Sequence, residues 1–162
     1  MRPDTVIAAL AGTYLIQNST TLINGTRAVD NFVWGTTLHG IISYTASGYV
    51  SALLTTGDAR FMPQNLTFPY KDDQPDSEWA LVGKHTLAYV GPVRIENTTT
   101  NSSRESGTVV HGPLMVCDIP SYVGVELRRE YTLVKRREGT WLRLVTINTA
   151  TTYSELWFQK LD

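Results

Sequence analysis

Apolar and polar residues alternate along much of the chain, and this pattern predicts β-strands more often than helices. Between Val125 and Gln159 three such patterns follow one another, separated by short turns at Glu138-Gly139 and at Asn148-Thr149-Ala150. Because neighbouring side chains of a strand point to opposite faces, each pattern indicates a strand with one buried face. The segment therefore predicts a three-stranded antiparallel meander.

Earlier parts of the chain show the same alternation. Residues 39–44 and 49–54 flank Ala46-Ser47-Gly48, which predicts a tight hairpin because glycine tolerates a positive φ. Further strands are expected over 13–17, 87–96 and 108–116. A short helix is expected before the first strand, and the apolar spacing from Asp76 to about Leu87 predicts one internal helix.

This count gives eight strands, one short N-terminal helix and one internal helix in an all-β chain. Eight antiparallel strands that pair in sequence order close most naturally into an up-and-down barrel with room for one small ligand. We expect the irregular, proline-containing segment 56–76 to form a lid or rim, and the polar segment 97–107 to lie outside the strands. Pro113 is expected at an edge, a bulge or a bend.

Composition narrows the class of protein. The 162 residues (18.0 kDa) fit one domain spanning 1–162, and a net charge of -1 with dispersed basic residues argues against nucleic acid as a partner. No stretch reaches the roughly 20 apolar residues of a membrane span. The single Cys117 fits a cytoplasmic protein. Five Asn-x-Ser/Thr sequons, at Asn18, Asn24, Asn65, Asn97 and Asn101, leave secretion and glycosylation open.

Two charged residues of the meander stand among apolar and aromatic neighbours. Arg129 shares a strand face with Tyr131, and Glu155 shares one with Trp157. If both faces point inward, the guanidinium can hold a ligand oxygen and the carboxyl can move a proton. The alternatives are a structural ion pair, or a register that places both groups in water.

Histidine supplies the third catalytic candidate. His111 is expected mid-strand on the face of Val109, Pro113 and Met115, and imidazole titrates near neutral pH. A structural role for a lone histidine on an apolar face is the alternative. No spacing such as His-x-x-x-His is present, so no metal site and no cofactor are predicted.

Aromatic side chains are the expected walls of a ligand cavity, with tyrosine hydroxyls orienting the ligand. The predicted substrate-binding residues are Tyr131, Trp157, Tyr89, Tyr44, Trp34 and Phe61.

Several short motifs in order resemble the small lipocalin-like domain proteins of bacteria and fungi, over about Ala9 to Leu161. They are Gly12-Thr13-Tyr14, the run from Gly40 to Ala52, Leu87-Ala88-Tyr89-Val90-Gly91, Val109-Val110-His111, the run from Ile119 to Gly124, Arg128-Arg129-x-Tyr131 and Leu156-Trp157. The resemblance implies a calyx-like barrel. Such barrels serve as carriers and as cofactor-independent cyclases or isomerases in natural-product pathways.

The sequence therefore predicts a cofactor-independent isomerase or cyclase of secondary metabolism, acting on a hydrophobic small molecule. In this hypothesis Arg129 stabilises negative charge on oxygen, while His111 or Glu155 transfers a proton. The alternative is a carrier or sensor that binds the same kind of ligand and does no chemistry. Oligomeric state is left open, with a homodimer as one option.

Overall fold

The computed structural model of the protein describes residues 3–29, 31–147 and 149–161. Within these ranges the chain forms two α-helices, α1 (Pro3–Leu10) and α2 (Asp76–Lys84), and ten strands. The strands are β1 (Gly12–Ile23), β2 (Thr26–Ala28), β3 (Leu38–Tyr44), β4 (Tyr49–Thr56), β5 (Thr86–Thr100), β6 (Arg104–His111), β7 (Val116–Cys117), β8 (Leu127–Arg136), β9 (Gly139–Ile147) and β10 (Thr152–Lys160).

Eight of the strands close into an antiparallel barrel, as predicted. The order is β1, β3, β4, β5, β6, β8, β9 and β10, and β10 pairs with β1 to complete the ring. Closure gives every barrel strand a partner on both sides and so removes free sheet edges. The two additional short strands extend this barrel, because β2 forms a hairpin with β1 and β7 pairs with β5.

Helix α1 closes one end of the barrel. Its Val6 and Leu10 are buried in the same cluster as the interior residues Tyr44 and Leu142. The Tyr14 hydroxyl donates a hydrogen bond to the Leu10 carbonyl at 2.9 Å, which fixes the end of the helix to the first barrel strand. Burial of these apolar side chains provides the main driving force for docking the helix.

The predicted hairpin between β3 and β4 is present. The Thr45 amide donates to the Tyr49 carbonyl, and the Gly48 amide donates to the Thr45 carbonyl at 3.1 Å. Gly48 has a φ of 85°, the left-handed conformation that glycine adopts without steric cost. The glycine therefore permits the tight turn that sets the register of these two strands.

The polar segment 97–107 differs from the prediction, because β5 continues to Thr100 and β6 begins at Arg104. Its backbone groups are paired in the barrel ladder even though its side chains are polar, and threonine suits a strand. Asn97, with a φ of 52°, marks the bulge at which the register shifts. The Asn101 side chain accepts hydrogen bonds from the Ser103 and Arg104 amides and so forms the turn.

Strand β6 and helix α2 end earlier than predicted. Strand β6 ends at His111 because Gly112 adopts a φ of 121° and Pro113 has no amide hydrogen to pair, so the expected bend at this proline is present. Helix α2 ends at Lys84, and β5 begins two residues later. Of the predicted turn at Asn148-Thr149-Ala150, Asn148 lies outside the described residues.

Candidate functional site

The barrel contains a cavity of about 150 Å³. Its wall consists of aliphatic and aromatic side chains, interrupted by Arg129, Tyr89, Thr146 and Ser154. On each contributing strand these inward positions alternate with outward ones, as the pleat requires. The wall is therefore mostly apolar, with few polar groups, which is the usual composition of a small-molecule site.

Trp34 lies in this wall because the segment before β3 is fastened to the end of β4. The Thr56 hydroxyl donates to the Trp34 carbonyl at 2.8 Å, and Asp58 accepts hydrogen bonds from the Thr36 amide and hydroxyl. Arg60 pairs with the same carboxylate at 2.6 Å and holds the pKa of Asp58 well below its usual range. These contacts fix one side of the cavity.

Arg129 points into the cavity from β8. Its Nη1 donates to the carbonyl of Arg128 at 3.0 Å. Among the described residues, no carboxylate lies within ion-pair distance of its guanidinium. A half-buried cation without a counter-charge keeps most of its hydrogen-bonding capacity free, because guanidinium carries five N–H donors. Arg129 can thus bind an oxygen atom of a ligand.

Glu155 lies on the outer face of the barrel, so the condition for its meeting Arg129, that both faces point inward, is not met, and Glu155 instead forms an ion pair with Arg143. Its carboxylate accepts hydrogen bonds from Arg143 at 2.5 Å and from the Trp157 indole at 2.6 Å. The Arg143 guanidinium lowers the pKa of Glu155 from its ordinary value. The physical reason for its position is that Phe158 on the other face pairs with the core residue Leu142.

The six predicted binding residues are not all at the cavity. Trp34 and Tyr89 line it. Tyr131 is an interior residue that does not line this cavity. Its hydroxyl donates to Glu105 at 2.9 Å, and Glu105 lines a separate pocket to which Ala9 of α1 contributes. Trp157 and Phe61 also lie away from the cavity. Trp157 is on the outer face of the barrel, with the Arg136 guanidinium 5.6 Å from its ring, and Phe61 stacks on His85. Tyr44 does not line the cavity, and its hydroxyl contacts His111 instead.

His111 is fully buried between two tyrosines. The Tyr44 hydroxyl is 2.9 Å from its Nε2, and the Tyr89 hydroxyl is 2.9 Å from its Nδ1. Burial, together with the positive charge of Arg129, lowers the pKa of His111 to about 3. At neutral pH the ring is uncharged, and both of its nitrogens are occupied, so His111 reaches a ligand only through a tyrosine.

The two tyrosines are also uncharged at neutral pH. Burial raises the pKa of Tyr89 to about 12 and raises that of Tyr44 well above its ordinary value. Both are predicted from the sequence as substrate-binding residues, without a link to His111. The signal that could have linked them to His111 is that all three occupy inward positions of barrel strands, but their contact depends on how the barrel closes.

The part of the chain that the structure describes contains no group of three or more His, Cys, Asp or Glu side chains arranged to hold a metal ion. No helix in the same part is both long and apolar enough to cross a membrane.

The fold and the cavity together define a class of protein, a closed barrel that suits the binding of a small hydrophobic molecule. The family model described as a lipocalin-like domain matches residues 10–161, and the chain belongs to this family. The predicted resemblance is thereby confirmed. No curated protein and no solved structure matches the chain.

Proposed function

We propose that the protein is a cofactor-independent isomerase or cyclase of secondary metabolism, which encloses part of a hydrophobic molecule and binds its reacting oxygen with Arg129. The observation that carries this proposal is the guanidinium of Arg129, which lacks a carboxylate partner among the described residues and lines a mostly apolar cavity. An uncompensated charge in such surroundings is costly unless a ligand completes its hydrogen bonds. A carbonyl, carboxylate or enolate oxygen would do so.

The volume of the cavity limits how much of the ligand is enclosed. At about 150 Å³ it is smaller than most ligand pockets, which begin near 300 Å³. A cavity of roughly 150 Å³ is known to hold a benzene molecule. We therefore expect one ring-sized portion of the substrate inside the cavity, with any remainder outside it.

The proposed chemistry follows from the groups in the wall. Apolar side chains hold the enclosed portion in a reactive shape, and Arg129 stabilises negative charge that develops on its oxygen. The wall residues include no carboxylate or imidazole, so these groups support a ring closure or bond rearrangement driven by confinement and oxygen binding. Glu155 has no part in this mechanism. His111 does not contact the substrate and acts only through its hydrogen bond with Tyr89.

Deleting the gene in its host tests the proposal, because isomerisation and cyclisation conserve elemental composition. We expect one metabolite to be replaced by another of identical composition, as detected by high-resolution mass spectrometry. The wild-type gene and the matched charge variant Glu155→Gln should restore the original metabolite, whereas Arg129→Met should not. Complete restoration by Arg129→Met would contradict the proposed role of the arginine.

The second candidate is a carrier, which the missing acid or base in the cavity wall favours. A carrier should change the amount of a metabolite but not its isomeric form. The deletion therefore separates the two functions, since unchanged isomers at a lower level would support the carrier and contradict the enzyme.

A further inference from the structure

The hydrogen bonds around His111 leave one tyrosine proton unused. A neutral imidazole has one N–H donor and one nitrogen that only accepts. Each ring nitrogen is 2.9 Å from a tyrosine hydroxyl. One hydroxyl therefore donates to the bare nitrogen, while the other accepts from the N–H and keeps its own hydrogen free. Among the described residues, neither hydroxyl has a second hydrogen-bond partner.

The surroundings of the two tyrosines indicate which hydrogen is free. Tyr44 is enclosed between Tyr14 and His111, with 3% of its surface exposed, and it is not part of the cavity wall. A free hydrogen there would be buried without an acceptor, at a cost of about 1–3 kcal/mol. Tyr89 forms part of the cavity wall, so a hydroxyl hydrogen directed into the cavity would meet water or a ligand as its acceptor. The favoured arrangement has Tyr44 donating to Nε2 and Nδ1–H donating to Tyr89.

We propose that Tyr89 is a second oxygen-binding residue of the cavity, and that the Nδ1–H tautomer of His111 directs its hydroxyl hydrogen to the ligand. This inference rests on the proposed function, because it concerns the same enclosed molecule. The ligand class is a ring-sized molecule that carries an acceptor oxygen, namely a carbonyl, a carboxylate or an enolate. Tyr89 contacts the ligand, whereas His111 and Tyr44 are positioning residues.

Two donors of different charge then serve the same cavity. Arg129 supplies a permanent positive charge, and Tyr89 supplies a directional neutral donor whose proton is retained at neutral pH. Donors that are fixed before the ligand arrives need no reorganisation when negative charge develops on oxygen. The buried chain from Tyr44 through His111 to Tyr89 provides that fixation.

The tautomer can be measured in the ligand-free protein by long-range ¹H–¹⁵N NMR of the histidine rings, with His111→Gln used to assign the signals. We expect the His111 spectrum of a neutral ring protonated on Nδ1 and bare on Nε2. A ring protonated on Nε2 would overturn the inference, since Tyr89 would then donate to His111 and have no hydrogen left for a ligand. This outcome leaves the role of Arg129 untouched.

Binding of benzoate and toluene provides the second test, because the two probes share a ring and differ in the acceptor oxygens. Replacing Tyr89 with Phe should weaken benzoate binding about tenfold and leave toluene binding unchanged. Tyr44 does not contact the ligand, but Tyr44→Phe should weaken benzoate binding a few fold, because the His111 ring is then free to change its tautomer. The His111 NMR signals should report this change of tautomer. A merely structural role would weaken both probes equally.

The outcomes of this test separate the two proposals. Unchanged benzoate selectivity in Tyr89→Phe, with selectivity lost in Arg129→Met, would overturn the role of Tyr89 and retain the proposed site. Failure of the wild-type protein to bind either probe would overturn both. Melting temperatures of the variants show whether each is folded under the conditions of the titration.

Discussion

The inner face of β8 and the outer face of β10 each carry a charged residue beside an aromatic one, and yet the two charges differ in where they point and in how they are paired. Arg129 on β8 faces the cavity and has no carboxylate partner among the described residues. Glu155 on β10 faces outward and is satisfied by Arg143 and Trp157. A charge that the protein itself has paired is a structural feature, whereas a charge left unpaired in a cavity indicates a ligand.

The difference extends to the groups around each charge. Near Arg129 lies a buried cluster of uncharged groups, in which His111 is hydrogen-bonded to Tyr44 and Tyr89. Near Glu155 the polar groups are half-exposed and charged. Interior substitutions should therefore change stability or binding strongly, and exterior ones weakly.

The largest effect on stability is expected from His111→Phe, which removes the hydrogen-bond partner of two buried hydroxyls. Each hydroxyl left unpaired costs about 1–3 kcal/mol, so we expect the free energy of unfolding to fall by about 2–6 kcal/mol in urea titrations. His111→Gln retains one donor and one acceptor and should lose clearly less. A loss below about 1 kcal/mol for the phenylalanine variant would show that the buried cluster contributes little.

Acidification should destabilise the protein through the same histidine. The pKa of His111 is about 3 in the folded protein, below its ordinary value of 6.5, so the unfolded chain takes up the proton first. The stability from this group is complete above pH 6.5 and is lost as the pH falls towards 3, by about 1.4 kcal/mol per pH unit. Unfolding measured between pH 6.5 and 5 should show a slope that rises towards this value as the pH falls, and His111→Gln should reduce it. Equal slopes in the two proteins would refute the assignment.

A smaller effect, of opposite sign, is expected for the stability of Arg129→Met. The substitution removes a half-buried cation that has no carboxylate partner in the described chain. We expect the free energy of unfolding to stay the same or to rise by about 1 kcal/mol. A loss of more than about 2 kcal/mol in urea titrations would indicate that the arginine stabilises the folded barrel and is not reserved for ligand binding.

The smallest effect is expected for Glu155→Gln, which neutralises the outer charge and retains a hydrogen-bond acceptor for Trp157. Partly exposed ion pairs contribute about 0–1 kcal/mol, so the melting temperature should change little. Ligand binding should not change at all. Weaker benzoate binding in this variant would mean that the outer face communicates with the cavity, and the contrast between the two strands would no longer hold.

The barrel could be predicted from sequence because its determinants are local. Period-two alternation marks the strands, and the glycine turn at Gly48 pairs β3 with β4. The local sequence of β10 does not show which of its faces points inward, since Tyr153 and Trp157 on one face are as apolar as Leu156 and Phe158 on the other. Only the pairing of this strand with β9 and β1 decides which face fills the barrel.

The site was predicted less completely than the fold. Arg129, Tyr89 and Trp34 could be named because each stands on an expected strand or beside one, and all three line the cavity. The link from His111 to Tyr44 and Tyr89 could not be found, because it joins strands β3, β5 and β6 through distances that depend on barrel closure. Pairing of Glu155 by Arg143 could not be predicted either, because it depends on the register between the adjacent strands β9 and β10 and on which face of β10 points outward.

The most direct test of the central claim compares benzoate with toluene in titrations followed by NMR or calorimetry. If Arg129 is an oxygen-binding cation in an apolar cavity, the wild-type protein and Glu155→Gln should bind benzoate at least tenfold more tightly than toluene. Arg129→Met should bind toluene as before and lose the preference for benzoate. A preference that survives in Arg129→Met, or one that disappears in Glu155→Gln, would contradict the account.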